Sequence, residues 1–186
     1  MSLGVLLPMF MGPCMSAATQ PEGVISGIWQ HHNVTFSYFG ITSLFSCAGL
    51  EYQTRQILLH LGARKDSKVY AQGCPGPVNA PSPRAFVTAD FYTLVPAADD
   101  AGGSETVKAR WTGLEVTPQH PRFMREGDCE LIQAMKDVIT MNFSLRDLNY
   151  RTSCFPNDVT HDGFAVMGQV LREGPDSPVS AARERP

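Results

Sequence analysis

Charge is scarce in this chain, and so is any catalytic signature. Charged residues make up 18% of the 186 positions and sum to a net charge of −3. They form no basic stripe, which excludes a nucleic-acid partner held through its phosphates. No run of about 20 apolar residues occurs, so no membrane span is expected. The sequence has no G-x-S-x-G elbow, no H-E-x-x-H and no Walker loop. A redox C-x-x-C and a haem-attaching C-x-x-C-H are missing too. No cofactor is expected, and an enzyme would have to draw on residues scattered along the chain.

What the chain does have is an apolar start. Leu3 to Met15 carries no charge and is followed by Ser16-Ala17-Ala18. A short apolar core ending in small residues predicts a secretory signal over residues 1–18, cleaved after Ala18. Lipidation through Cys14 is the alternative, with Pro13 an unfavourable residue before it. Cleavage removes Cys14 and leaves Cys47, Cys74, Cys129 and Cys154. An even set is what an oxidising compartment leaves, so a periplasmic or secreted location is expected.

The length suits one domain. Residues 19–31 read as a linker, 32–171 as a single α+β domain and 172–186 as a disordered tail. Val34, Phe36 and Tyr38 alternate with Thr35, Ser37 and Phe39, the period of a half-buried strand. Ser43 and Ser46 offer caps for a helix over 49–61, in which Leu50, Thr54, Ile57, Leu58 and Leu61 share a face. Gly62 ends that helix in the left-handed conformation. Val69, Ala71 and Gly73 form a short strand that stops at Cys74.

The prolines between Pro75 and Pro83 make an extended loop. Arg84 to Val95 is the longest strand signal, with Ala85, Val87, Ala89 and Phe91 on one face and Phe86, Thr88, Asp90 and Tyr92 on the other. After a loop from Pro96, Thr106 to Val116 returns as a strand, Val107, Ala109 and Trp111 opposing Lys108, Arg110 and Thr112. Its apolar phase shifts near Gly113, which predicts a bulge there. Asp128 is the expected N-cap of a second helix carrying Leu131, Met135, Val138 and Ile139 on one face. A last strand ends at Cys154, and 161–171 reads as a short strand or helix.

The order β-α-β-β-β-α-β predicts a ferredoxin-like sheet with two helices on one face and one strand added. In such a unit the start of each helix lies beside the end of the strand that follows. A thirteen-residue helix is about 20 Å long, and a seven-residue strand about 23 Å. That geometry pairs Cys47 with Cys74 and Cys129 with Cys154, across spacings of 27 and 25 residues. The same closure occurring twice reads as an internal duplication.

Four cysteines could instead hold a metal, but structural zinc sites bring ligands in close pairs such as C-x₂-C. His31-His32 could bind copper or zinc with Met9, Met11 or Met15, although those methionines lie in the expected signal. His60 and His120 read as solvated or loop residues. His161, Asp162 and Asp158 are the nearest thing to a catalytic group. Asn33-Val34-Thr35 and Asn142-Phe143-Ser144 match the glycosylation pattern, which matters only in a eukaryotic secretory route. The sheet face that the helices leave open is the expected binding surface, with Phe86, Asp90, Tyr92, Lys108, Arg110 and Arg151 on it beside Thr35 and Ser37.

With its signal-like start and paired Cys-helix-strand-Cys units, the layout from Asn33 to Cys154 resembles small exported bacterial proteins of uncharacterised families. That resemblance implies no activity. The leading expectation is an exported, disulfide-stabilised binding or assembly domain, taking a protein partner or a second copy through the open face. A small exported hydrolase-type enzyme and a periplasmic metal-binding protein are the alternatives.

Overall fold

A computed structural model describes residues 23–41, 43–74, 81–97, 106–154 and 163–174. The elements in chain order are β1 (Ile25–Phe39), α1 (Cys47–His60), β2 (Lys68–Gln72), β3 (Arg84–Pro96), β4 (Thr106–Val116), α2 (Cys129–Ala134), α3 (Lys136–Asn142), β5 (Leu145–Ser153) and β6 (Gly163–Glu173). All six strands belong to one antiparallel sheet ordered β2-β3-β1-β4-β6-β5.

This differs from the ferredoxin-like expectation in strand number and helix count. The expected second helix breaks at Met135 into α2 and α3, and the segment read as strand or helix is β6. The two expected disulfides are present, Cys47–Cys74 and Cys129–Cys154.

The sheet order exposes a symmetry. Each half of the chain runs strand, helix, strand, strand, and in each half the third strand sits between the first and second. The first strands, β1 and β4, pair over Ile25–Ile28 and Thr106–Ala109 and join the halves. Past that short ladder each half lends the other a contact. His60, at the end of α1, donates through Nε2 to the Glu115 carbonyl of β4 (3.0 Å). Glu130 of α2 accepts from the backbone N–H groups of Ile41 (2.9 Å) and Ser43 (3.3 Å), just past β1.

Local chemistry fixes the ends of α1. Ser46 accepts from Gly49 N (3.0 Å), satisfying one of the donors a helix start leaves free. At the other end Gly62 adopts a φ of +97°, while Ala63 N reaches Leu58 O and Gly62 N reaches Leu59 O. Those two bonds make a Schellman motif, which needs the missing Cβ at Gly62. Asp128 behaves differently from the expectation. It closes a 3-10 turn (Glu126–Asp128), and its side chain caps nothing in α2.

The main core lies between the helices and one face of the sheet. Leu50, Ile57 and Leu58 of α1, with Leu131, Ile132 and Ile139 of α2 and α3, pack on Tyr38, Ala85, Val87, Phe91, Leu114, Val116 and Val166. Each large side chain buried there stabilises the fold by about 1.5–3 kcal/mol. A second, smaller core holds Leu94, Val107, Ala109 and Leu171, with Ile25, Trp29 and Trp111 packed against it. Register places it on the opposite face of the sheet. That explains the phase shift in β4. Its pairing with β6 runs unbroken through Gly113, so no bulge forms there. The strand instead buries Val107 and Ala109 in one core, then Leu114 and Val116 in the other. The irregularity falls in β5, between Arg146 and Asn149.

Two histidines tie this packing to pH. Burial lowers the pKa of His60, helped by Arg172 and His120 and opposed by the Glu115 carbonyl. Burial likewise lowers His32, helped by the charge of its chain neighbour His31; its ring packs beside that of Phe91. Both values fall below the ordinary 6.5, so the unfolded chain binds more protons than the fold in that range. Their contribution to stability is complete above 6.5 and is lost as pH falls through that value toward the folded-state pKa values. We expect the urea midpoint to be lower at about pH 5.5 than at about pH 7.5, and His60→Gln to shrink that difference. An undiminished difference in the variant would remove His60 from this account.

Candidate functional site

Register decides which side chains share the face away from the helices. Across β1, β3 and β2 the rows are Ser37–Phe86–Gln72, Thr35–Thr88–Tyr70 and Asn33–Asp90–Lys68. His31 then stands opposite Tyr92, and Trp29 opposite Leu94. Tyr70 is 55% exposed, and Phe86 and Phe39 are each 53% exposed. These three fall on successive diagonals from β2 to β1, and diagonal neighbours stand roughly 7 Å apart. They form an aromatic stripe on an open surface.

A polar row runs beside the stripe. Asp90 accepts from Asn33 Nδ2 (3.2 Å) and His31 Nε2 (3.0 Å). The Asn33 hydrogen bond, then that of His31, holds the Asp90 carboxyl below its usual range. The Thr35 and Thr88 hydroxyls bond each other at 3.0 Å. Arg64 frames the far end. Its backbone N–H donates to Tyr92 O (2.9 Å), while its guanidinium lies 3.6 Å from the centre of the Tyr92 ring. Asp66 holds that guanidinium through two bonds of 2.8 and 2.7 Å. At the near end Arg84 lies 5.1 Å over Phe39. Such cation–π contacts contribute about 0.5–1 kcal/mol each at exposed sites and hold the rings in place.

The expected surface is therefore brought together in part. Phe86, Asp90 and Tyr92 share it with Thr35 and Ser37. Arg151 is on the same side but on β5, three strand spacings from β1, or roughly 14 Å. Lys108 and Arg110 face the other way, in line with Leu114 and Val116. Sequence reasoning missed Phe39, Tyr70 and Arg64. Phe39 continues the alternation of Thr35 and Ser37, and Tyr70 lies between the inward Val69 and Ala71, so both were legible in principle. Arg64 was not, because it reaches the face from a loop.

The metal reading of His31-His32 meets the alternation of the strand. Adjacent residues on β1 point to opposite faces: His31 goes to Asp90, and His32 Nε2 donates to Thr93 Oγ1 (2.8 Å) on the helix side. Two such rings cannot close on one ion. Among the described residues no group of three or more His, Cys, Asp or Glu could hold a metal. No helix among them is long and apolar enough to cross a membrane. His161, Asp162, Asp158 and the methionines at 9, 11 and 15 lie outside the described residues.

Fold and surface together define an α+β domain of two disulfide-closed β-α-β-β halves with an open aromatic sheet face. No family model, curated protein or solved structure matches the chain.

Proposed function

We propose that this is an exported binding domain, periplasmic or secreted, which captures a protein surface on the open face of β2, β3 and β1. The observation that carries the reading is the stripe of Tyr70, Phe86 and Phe39, more than half exposed on three adjacent strands. Aromatic side chains are enriched where proteins meet, since a rigid ring buries much apolar area for little lost freedom. The row of Asn33, Asp90 and Lys68 supplies polar groups that fix the register of a partner. Two disulfides are consistent with an oxidising compartment.

A second copy of the chain is the first partner to test. Phe86→Asp with Tyr70→Ser places a charge and a small polar group in the stripe. Tyr92 is left alone because Arg64 lies over it. In sedimentation across a concentration series we expect the wild type to associate and the double variant to stay monomeric. Loss of two of the three aromatics should weaken association at least about thirtyfold, while stability changes by less than about 1 kcal/mol. A monomeric wild type, whose cross-linked partners in its native secretions are the same for the variant, would overturn the proposal.

A further inference from the structure

A cavity of about 660 Å³ opens at the other side of the molecule, where the segment leading into α1 meets the loop before α2. Leu44, Phe45, Tyr52 and Phe123 form its walls, and Gln53 and Asp128 its floor. It is separate from the open sheet face, so nothing below depends on that surface.

The floor is built and held. Asp128 is 3% exposed and Gln53 7% exposed. Gln53 Nε2 donates to Asp128 Oδ2 (2.9 Å) and to the Phe123 carbonyl (3.2 Å), and Arg125 N donates to the same Oδ2 (2.7 Å). Among the described residues every side-chain hydrogen bond of this pair runs through Asp128 Oδ2 and Gln53 Nε2, and nothing donates to Asp128 Oδ1 or to Gln53 Oε1. The walls are positioned too. Phe45 meets the Tyr38 ring edge-on, and its carbonyl accepts from Ser82 N (2.9 Å). Phe123 lies against His60.

Two open acceptors on the floor call for a ligand that donates. A buried carboxylate calls for positive charge, since an unpaired buried anion is costly. Aromatic walls add to that preference, because a ring presents its negative face to a cation. Arg125 also lines the cavity, but it is exposed, so water screens its charge more than that of Asp128. Burial raises the pKa of Asp128 and is the largest influence on it, outweighing the hydrogen bonds from Arg125 N and Gln53 and the charge of Arg125, which lower it.

We propose that this cavity binds a small primary amine, whose ammonium group donates to Asp128 Oδ1 and Gln53 Oε1 while its apolar substituent lies against Phe45, Tyr52 and Phe123. The test is calorimetric titration of the whole chain with 2-phenylethylamine, 2-phenylethanol and 3-phenylpropanoate, which share a ring and differ in charge. The amine should bind, and the alcohol and the acid should bind at least about tenfold more weakly. Asp128→Asn should weaken the amine by about tenfold or more and leave the alcohol nearly unchanged. Tyr52 is exposed, so Tyr52→Ala folds even if the Asp128 variant does not, and it should weaken the amine several-fold. Absence of amine binding at millimolar concentration, equal binding of the acid, or unchanged affinity in Tyr52→Ala would each overturn the proposal.

Discussion

Removing the second disulfide, as Cys129→Ala with Cys154→Ala, should destabilise the protein by more than removing the first, as Cys47→Ala with Cys74→Ala. The chain-entropy model gives each bridge about 3 kcal/mol, because the loops it closes in the unfolded state are almost equal. Their sequence separations are 25 and 27 residues. The difference must come from the folded side. Cys129 is fully buried and belongs to the main core, with Cys154 packed against it. Trimming the Cys129 sulfur leaves a void there, and surrounding side chains relax only partly into such voids. Cys74 packs against the same core part-buried, as Cys154 does, but its partner Cys47 is part-buried and lies outside that cluster. The helices differ as well. α1 has fourteen residues and two good caps, whereas α2 has six, too few to persist without tertiary support. Guanidinium unfolding of the two double variants measures the order, and equal or reversed losses would refute the argument.

Those bridges were legible because they rest on local lengths. A helix and a strand of matched rise return the chain to where it started, and the sequence shows both periods clearly between Cys47 and Cys74. The helix stop at Gly62 was legible for a similar reason, since a single residue type supplies the left-handed turn. What was not legible depends on residues far apart in the chain. The first half of β1 contains Ser26 and Gly27 and reads as a linker. Gly27 is small because a Cβ there would lie 3.0 Å from Ala109 Cβ and 3.4 Å from Leu94 Cδ2. β6 was ambiguous because Gly163 and Gly168 interrupt its pattern. Gly168 has a φ of +155°, and a Cβ on it would come within 2.7 Å of Arg146 O.

The candidate surface failed in one respect for a related reason. β4 carries apolar residues on both faces, so its pattern cannot tell which face meets the helices. The four-residue ladder with β1 decides it, and that ladder pairs residues about eighty positions apart. Once it forms, Val107 and Ala109 join the second core while Lys108 and Arg110 turn to the helix side. The face was predictable strand by strand for β1 and β3, whose long ladder aligns two clear alternations. The cavity above Asp128 left no sequence signal at all. Its parts come from three segments, and Asp128 reads from sequence as an ordinary helix cap.

Gly40→Ala should be among the most damaging single substitutions in the chain. Gly40 is buried where β1 ends, and its backbone N–H donates to Pro83 O (2.9 Å). A Cβ at this position would overlap the Ser43 carbonyl oxygen and the Tyr38 hydroxyl, and would lie 2.8 Å from Tyr38 Cζ. Neither neighbour can give way freely. Tyr38 is fully buried and donates its hydroxyl to that same carbonyl. The Ser43 backbone is held from the other side by Glu130. Overpacking a tight core site typically costs about 1–3 kcal/mol, and a site closed by backbone on one side and a buried ring on the other belongs at the upper end. Gly113→Ala is the matched control, because a Cβ there meets no atom within 4 Å; it should change stability by less than about 0.5 kcal/mol. Equal melting temperatures for the two variants would contradict this reading of the turn. The turn also leads directly into Leu44 and Phe45, so a folded Gly40→Ala protein should bind 2-phenylethylamine more weakly although it alters no residue lining the cavity. A variant that lost stability but kept full affinity would show that the turn and the cavity wall move independently.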